Sequence, residues 1–149
     1  MSAVLFSCLP VLAAHAKEDA ADFIGIFAPN DEIEPIFKVV RENGRLLVSI
    51  EKDDESCGWL PLIDADGNVE QARLADRAEL SKLLGRSAPE QVQAIVIDGW
   101  GVIYHAPKGW RLNGNFATQT GFFLTFKSSG EGMSSPGDFH KVSPESVCP

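Results

Sequence analysis

The stretch that decides the fold is PIFKVVRENGRLLVSIEK, residues 35–52. Asn43 and Gly44 suit a two-residue type I′ turn, because both central positions of that turn need a positive φ. Counting outward from the turn gives the opposed pairs Glu42–Arg45, Arg41–Leu46, Val39–Val48 and Phe37–Ile50. One face of this hairpin is then apolar and the other mostly polar. A slip of one residue would mix the two faces, so the pattern predicts the register as well as the hairpin.

Several other segments also predict antiparallel strands. DFIGIFA (residues 22–28) and GWLPLID (58–64) each have the composition of a strand, and a second hairpin is expected around a Gly99-Trp100-Gly101 loop. In that hairpin Ile95, Ile97, Ile103 and His105 share one face, while Val96, Asp98, Val102 and Tyr104 share the other. Because both faces are largely apolar, the hairpin is expected to be covered on two sides. FATQTGFFLTF (116–126) predicts one last long strand with Phe116, Phe122, Leu124 and Phe126 on one face, and the chain from Ser128 is expected to be irregular.

One short helix is predicted over about residues 76–84. Asp76 and Glu79 form an aspartate variant of the capping box, and Gly85 is a natural C-terminal cap. Leu80, Leu83 and Leu84 give the helix an apolar stripe. The predicted fold class is therefore mainly β, an antiparallel sandwich or open barrel with one short α-helix packed on it.

The N-terminal segment has the pattern of a secretory signal peptide. Residues 2–16 contain no charged side chain, and the apolar run ends in Ala14-His15-Ala16 before Lys17. Small residues at these two positions favour cleavage between Ala16 and Lys17, although no basic residue precedes the run. This predicts a signal peptide at 1–16, a single β-rich domain at 17–149, and a periplasmic or secreted protein. The alternatives are a buried N-terminal helix of a cytosolic protein and lipidation at Cys8, for which Phe6 is too bulky.

After cleavage the mature chain would keep two cysteines, Cys57 and Cys148. An even number in an oxidising compartment predicts a disulfide between them, the alternative being two separate thiols. No metal site is expected, because the mature histidines, His105 and His140, lack partners at ligand spacing. DADGN (64–68) is expected to be a tight turn. It does not match a calcium loop, since Val69 and Ala75 occupy the positions where an EF-hand needs Gly and Glu.

The chain carries 13 basic and 21 acidic residues, a formal net charge of −8. Nucleic acid and anionic membranes are therefore unexpected partners, because both bind through basic patches. The acidic residues cluster in two segments, Asp31, Glu32 and Glu34, then Glu51, Asp53, Asp54 and Glu55. Such clusters are solvated loops or an acidic rim that attracts a basic protein.

No enzyme signature and no cofactor are expected from the motifs. The chain has no G-x-S-x-G sequence, and the predicted register places Asp98 and His105 on opposite faces, so they form no dyad. The residue predicted as the main partner contact is Trp100, displayed between two glycines, and Trp110 beside Arg111 is a second candidate. The acidic residues Asp53, Asp54 and Glu55 are predicted to belong to the same partner-binding surface. The alternative for each tryptophan is a lid folded back onto the sheet; this interpretation is favoured for Trp59 and Trp110, and exposure is favoured for Trp100.

The segments FIGIF, EPIFKV, NGRLLVSI and GWLPL, spread over residues 22–63, resemble small periplasmic β-proteins. In particular they resemble immunity proteins of antibacterial secretion-system effectors and proteins of the periplasmic lysozyme-inhibitor type. The resemblance is one of general layout and assigns no residue a role. It implies a stoichiometric inhibitor or immunity protein that binds a basic effector, for example a cell-wall-degrading hydrolase. The alternatives are a carrier that holds a small apolar ligand in a barrel pocket, and an enzyme.

Overall fold

The computed structural model describes residues 19–52, 58–127 and 134–144. A short 3-10 helix, Ala21–Phe23, precedes eleven strands and one α-helix. In chain order the elements are β1 (Gly25–Pro29), β2 (Phe37–Glu42), β3 (Arg45–Glu51), β4 (Trp59–Pro61), β5 (Gln71–Leu74), α1 (Arg77–Leu84), β6 (Gln93–Ile97), β7 (Gly101–His105), β8 (Arg111–Asn113), β9 (Phe116–Ala117), β10 (Phe122–Phe126) and β11 (Gly137–Val142).

The β2–β3 hairpin has the register that the sequence predicts. Phe37 pairs with Ile50, Val39 with Val48, Arg41 with Leu46 and Glu42 with Arg45. Asn43 and Gly44 have φ angles of 51° and 77°, as a type I′ turn requires. The predicted apolar face is buried, so this hairpin fixes which side of the sheet becomes the core.

The sheet closes on itself as an eight-stranded antiparallel barrel, and the predicted mainly β class is confirmed. Its strands follow the order β1, β11, β10, β7, β6, β5, β3 and β2, and the pairing of β1 with β2 completes the ring. β4 extends the same sheet beside β3. Of the two expected architectures the chain therefore adopts the barrel, and the barrel is closed. Among the described residues, no helix has both the length and the apolar character needed to cross a membrane.

The expectation of an irregular chain after Ser128 is wrong for residues 137–142. These residues form β11, which pairs with β1 on one side and β10 on the other. Phe139 of β11 is buried in the barrel, and it contacts Phe37 edge to face at 5.3 Å. GDFHKV carries only one large apolar side chain that alternates into the core, so its own composition gives a weak strand signal.

The barrel interior is filled by side chains. Its buried residues include Phe23, Phe27, Phe37, Val39, Val48, Ile95, Ile97, Ile103, Leu124 and Phe139. Phe27 and Phe37 stack at 4.9 Å between ring centroids, and Phe122 meets Phe27 edge to face at 5.2 Å. An eight-stranded barrel is just wide enough for its own side chains, and phenylalanine rings occupy much of that width here.

A second apolar layer covers the outside of β6, β7 and β10, as the two apolar faces of the β6–β7 hairpin predict. The predicted helix forms over Arg77–Leu84. Asp76 accepts a hydrogen bond from the Glu79 backbone N–H at 2.8 Å, and Gly85 caps the other end with φ 66°. The Glu79 carboxylate does not return to the Asp76 N–H. It accepts two hydrogen bonds from Arg73 of β5, at 2.6 and 2.7 Å, and so ties the helix to the barrel.

Residues 116–126 do not form one strand as expected. β9 ends at Ala117, and the chain turns through residues 118–121, where the Asp138 carboxylate accepts hydrogen bonds from Thr118 and from the Gln119 N–H. Phe122 and Leu124 face the interior as predicted, whereas Phe116 lies in the outer layer, 5.3 Å from Phe123. Gly121 has a φ of 95°, which breaks the strand that the aromatic alternation suggested.

Candidate protein-binding surface

The barrel has two unlike ends. We call one the acidic end; it carries residues 30–36, 51–52, 58–70, 98–101, 126–127 and 134–136. We call the other the N-terminal end; it carries residues 19–24, 43–44, 75–92, 106–114 and 120–121. Residues 115–119 lie beside the 30–32 segment of the acidic end, where the Asn30 side-chain amide donates to the Gln119 side chain at 3.2 Å. The two ends differ in charge and in exposed apolar surface.

Acidic side chains dominate the first of these ends. The described carboxylates there are Asp31, Glu32, Glu34, Glu51, Asp64, Asp66, Glu70 and Asp98, against the basic side chains of Lys38, Lys52 and Lys127. One of these carboxylates, Asp98, is also paired with Arg73 of β5. At the N-terminal end, acidic and basic residues are present in similar numbers. The negative charge of the described chain is therefore concentrated at one end of the barrel.

The exposed large hydrophobic side chains of the described residues lie at the same acidic end. Their exposed fractions are 82% for Ile33, 61% for Ile63, 46% for Leu60, 44% for Val69 and 39% for Phe126. Single exposed apolar residues are ordinary on protein surfaces, but several on one acidic face are typical of a protein-binding surface.

Residues 63–70 form a compact hairpin that projects from this end. Ile63 and Val69 face each other across it in a bridge, and the Asp64 N–H donates to the Asn68 carbonyl at 2.8 Å. The Asp64 carboxylate accepts hydrogen bonds from the N–H groups of Asp66 and Asn68, at 2.9 and 2.8 Å, which holds the pKa of Asp64 below its ordinary value. DADGN is thus a tight turn closed by its own aspartate, as expected from the sequence.

Trp100 lies at the acidic end, but it does not project from the hairpin tip as expected. Its indole ring packs edge to face against Phe126 at 4.9 Å and Phe37 at 6.4 Å, and it is partly buried against the barrel core. The Trp100 carbonyl also accepts a hydrogen bond from the Lys127 N–H. The glycine on each side of Trp100 does not restrict the direction of the ring, and burial against the apolar end of the barrel favours the inward direction. Trp100 is therefore a lid residue, and the exposed ring beside it is that of Phe126.

The other two tryptophans are also packed against the barrel. Trp110 belongs to the outer layer, with its ring 6.0 Å from Phe123 and with the Arg86 guanidinium 4.9 Å above it. Arg111 follows it in β8, in the connection at the N-terminal end, and the Arg111 carbonyl accepts a hydrogen bond from Arg86. Trp59 is half-buried in β4 beneath the Lys38 ammonium group. Trp110 and Arg111 thus lie away from Trp100 and do not share a surface with it.

Five of the predicted site residues lie outside the described residues. These are Asp53, Asp54 and Glu55 of the expected partner contact, and Cys57 and Cys148 of the expected disulfide. The predicted signal peptide, with Cys8, also lies outside them. What the sequence did not predict is the hairpin at 63–70, although the alternation of Ile63 and Val69 about a Gly-containing turn was its signal.

The N-terminal end is closed by a plug, residues 19–24. Phe23 is fully buried and meets His105 and Phe122 edge to face, at 6.1 and 6.4 Å. His105 also stacks on Phe122 at 4.5 Å, and its Nδ1 lies 3.6 Å from the Asp22 carboxylate. Burial lowers the pKa of His105, with Asp22 opposing the shift and Lys141 adding to it. His105 of β7 therefore packs against the plug.

An open cleft of about 700 Å³ lies beside the plug. Arg41, Arg45 and Arg73 line its rim, and Leu46 and Ala72 form part of its apolar floor. Arg41 is paired with Asp19 at 2.8 Å, and Arg73 is paired with Glu79 and with Asp98. Most of the positive charge around this cleft is thus already neutralised within the chain.

Comparison with known proteins adds no homologue: no family model, no curated protein and no solved structure matches the chain. Within residues 19–52, 58–127 and 134–144, no cluster of His, Cys, Asp or Glu could hold a metal ion. The candidate site therefore rests on the geometry of the acidic end.

Proposed function

We propose that this protein binds a basic protein partner through the acidic end of its barrel and acts as a stoichiometric inhibitor or immunity protein. One observation carries the proposal: the exposed apolar residues Ile33, Leu60, Ile63, Val69 and Phe126 lie at the end that also carries most of the negative charge. Apolar side chains supply contact area, while the carboxylates attract and orient a basic partner. A cell-wall-degrading effector is the kind of partner that the sequence resemblance suggests.

The periplasm, or the extracellular space, is the compartment we propose for this interaction. The proposed cut between Ala16 and Lys17 would keep Ala20 and Phe23, both buried in the fold, in the mature chain.

The carrier alternative has little support, because phenylalanine, isoleucine and valine side chains fill the barrel interior. A carrier needs an enclosed apolar pocket of a few hundred cubic ångströms. The cleft beside the plug and a second one near Asn30 and Gln119 both open to solvent. Protein binding at the acidic end thus fits the barrel better than ligand storage inside it.

The test begins with capture of partners from a periplasmic extract on the immobilised mature chain, residues 17–149, with identification by mass spectrometry. The captured protein is then purified and titrated back by calorimetry. We expect a basic protein, one-to-one binding, and loss of its enzymatic activity in the complex. An acidic partner, or a complex that leaves the partner fully active, would contradict the proposal.

A pair of charge variants locates the contact. Neutralising Glu32→Gln and Glu70→Gln at the acidic end should slow association by roughly 3- to 10-fold at low salt, because steering depends on the local field. The matched control neutralises Glu42→Gln and Glu90→Gln at the N-terminal end and should leave the rate within about 2-fold. Equal slowing of association by both pairs would mean that the net charge of the protein, and not the charge at the acidic end, determines the rate.

The predicted disulfide provides a separate test of the compartment. If Cys57 and Cys148 are joined, thiol labelling of denatured mature protein without reductant should modify no cysteine. Reduction before labelling should then expose two reactive cysteines. Labelling of both cysteines without reductant would overturn the disulfide and weaken the assignment to an oxidising compartment.

A further inference from the structure

β4 and β5 are two pieces of one strand. Pro61 pairs with Ser49 of β3, and the Leu62 N–H donates to the Val48 carbonyl at 3.1 Å. Gln71, nine positions later in the chain, pairs with Leu47 of the same strand β3. No position on β3 is skipped, so the barrel strand continues from Leu62 directly to Gln71.

Residues 63–70 are therefore an insertion within a barrel strand. The Glu70 N–H donates to the Leu62 carbonyl at 2.8 Å and closes the base of the hairpin. The alternation of the strand also continues across the insertion: Leu62 packs against the core, Gln71 is exposed and Ala72 is buried. The barrel needs none of the eight inserted residues to complete its hydrogen bonding or its core.

The inserted hairpin is nevertheless well organised. Its turn is held by the Asp64 carboxylate and by Gly67, whose N–H donates to the Asp64 carbonyl at 3.1 Å and whose φ is 85°. This order presents Ile63 and Val69 side by side to solvent. A hairpin that is internally fixed, dispensable to the barrel and apolar on its surface has the properties of a preformed contact element.

We propose that the hairpin 63–70 is the element that contacts the basic protein partner, an inference that rests on the proposed function. Ile63 and Val69 form the apolar centre of the contact, and Asp66 and Glu70 form part of its charged border. The segment 63–70 contains no Lys or Arg, so it complements a surface rich in those residues. Glu70 also lies beside Gly99, where an added methyl group would come within 3.3 Å of its carboxylate, which places the hairpin next to the Trp100 lid.

A deletion tests whether the hairpin is separable from the fold. Removing residues 63–70 joins Leu62 to Gln71 in register with Val48 and Leu47. We expect the far-ultraviolet circular dichroism per residue and the cooperative thermal transition to be retained. A second variant, Ile63→Ser with Val69→Ser, changes only exposed side chains and keeps the binding test possible even if the shortened chain unfolds.

Photo-cross-linking in the native host tests the contact itself. A benzophenone amino acid is placed at position 63, at position 33 elsewhere on the acidic end, and at position 108 on the N-terminal end. We expect position 63 to cross-link one protein with an excess of Lys and Arg, and position 108 to give none. The yield of the cross-link from position 33 should be at least 10-fold lower in a chain that also carries Ile63→Ser and Val69→Ser than in a chain without these two substitutions.

The outcomes separate this inference from the proposed function. Cross-linking from position 33 but not from 63, undiminished by the two serine substitutions, would overturn the hairpin contact and leave the acidic end as the binding surface. No cross-link from either position would overturn both proposals. A cross-link between two copies of this chain, or to an acidic protein, would overturn the assignment of a basic partner.

Discussion

Phe23 closes one end of the barrel with a single side chain. It is fully buried against His105 and Phe122, so Phe23→Ala would leave a cavity where the plug enters. We expect a loss of about 3–5 kcal/mol in the free energy of unfolding, measured by urea denaturation. Ile33→Ala, at a highly exposed position, is the control and should change stability by less than about 0.5 kcal/mol. A loss below about 1 kcal/mol at Phe23 would mean that the plug is not part of the cooperative fold.

His105, at the same end of the barrel, is expected to make the free energy of unfolding depend on pH. Because burial lowers its pKa in the folded state, the unfolded chain binds a proton more readily as the pH falls below about 6.5. The free energy of unfolding should therefore be unaffected by His105 above that pH, and should decrease as the pH falls from about 6.5 to the lower pKa of the folded state.

Denaturation curves between pH 7.5 and 4.5 measure this contribution, with His105→Gln as the comparison. The variant should lose the decrease that begins below about pH 6.5, while keeping the acid unfolding below about pH 4. The latter arises from carboxylates such as Asp19 and Asp64, whose pKa values are lowered in the folded state. An unchanged pH profile in the variant would rule out His105 as the source.

The cap of helix α1 can be tested in the same way. Asp76 accepts the Glu79 N–H at the first turn, so Asp76→Ala should cost about 1 kcal/mol of unfolding free energy. Asp66→Ala is a matched removal of an exposed carboxylate in the projecting hairpin and should cost less than about 0.5 kcal/mol. Equal losses would indicate that net charge, and not the cap, determines the effect.

The β2–β3 hairpin and helix α1 were predictable because each is specified locally. Asn43-Gly44 fixes a turn and thereby every pair along two strands, and Asp76 and Gly85 mark both ends of the helix. β11 was not predictable, because its strand conformation depends on pairing with the edges of β1 and β10. β1 lies more than a hundred residues before β11 in the sequence. A strong local pattern specifies an element by itself. A segment with a weak pattern becomes a strand only when distant strands pair with it.

The candidate site could likewise be predicted from the sequence only where its features are local. Its acidic clusters were visible in the sequence, since charge in loops needs no packing argument. The direction of the Trp100 ring was not, because it depends on Phe37 and Phe126 from other strands. The status of residues 63–70 as an insertion was equally hidden, since it follows only when Leu62 and Gln71 are found on neighbouring positions of β3.

β11 is also what completes the barrel. A chain that ends at Pro136 would leave β1 and β10 with unpaired edges and would lose Phe139 from the core. We expect such a truncated chain to show no cooperative thermal transition and to aggregate, as judged by calorimetry and size-exclusion chromatography. Removal of residues 63–70, in contrast, is expected to leave the cooperative thermal transition in place. A cooperative transition in the truncated chain would mean that the closed barrel is not required for stability.

The pairing of β1 with β11 has a consequence for the order of events in synthesis. Ile26 pairs with Val142, so β1 gains this neighbour only after β11, more than a hundred residues later in the chain, has been made. Long-range pairing of this kind slows folding, because the ends of a long chain must first meet. A nascent chain would thus remain open until β11 has been made, and an open chain is the state in which an export channel accepts a polypeptide. If the chain is exported, as we propose, the barrel would close only after both β1 and β11 have crossed the membrane.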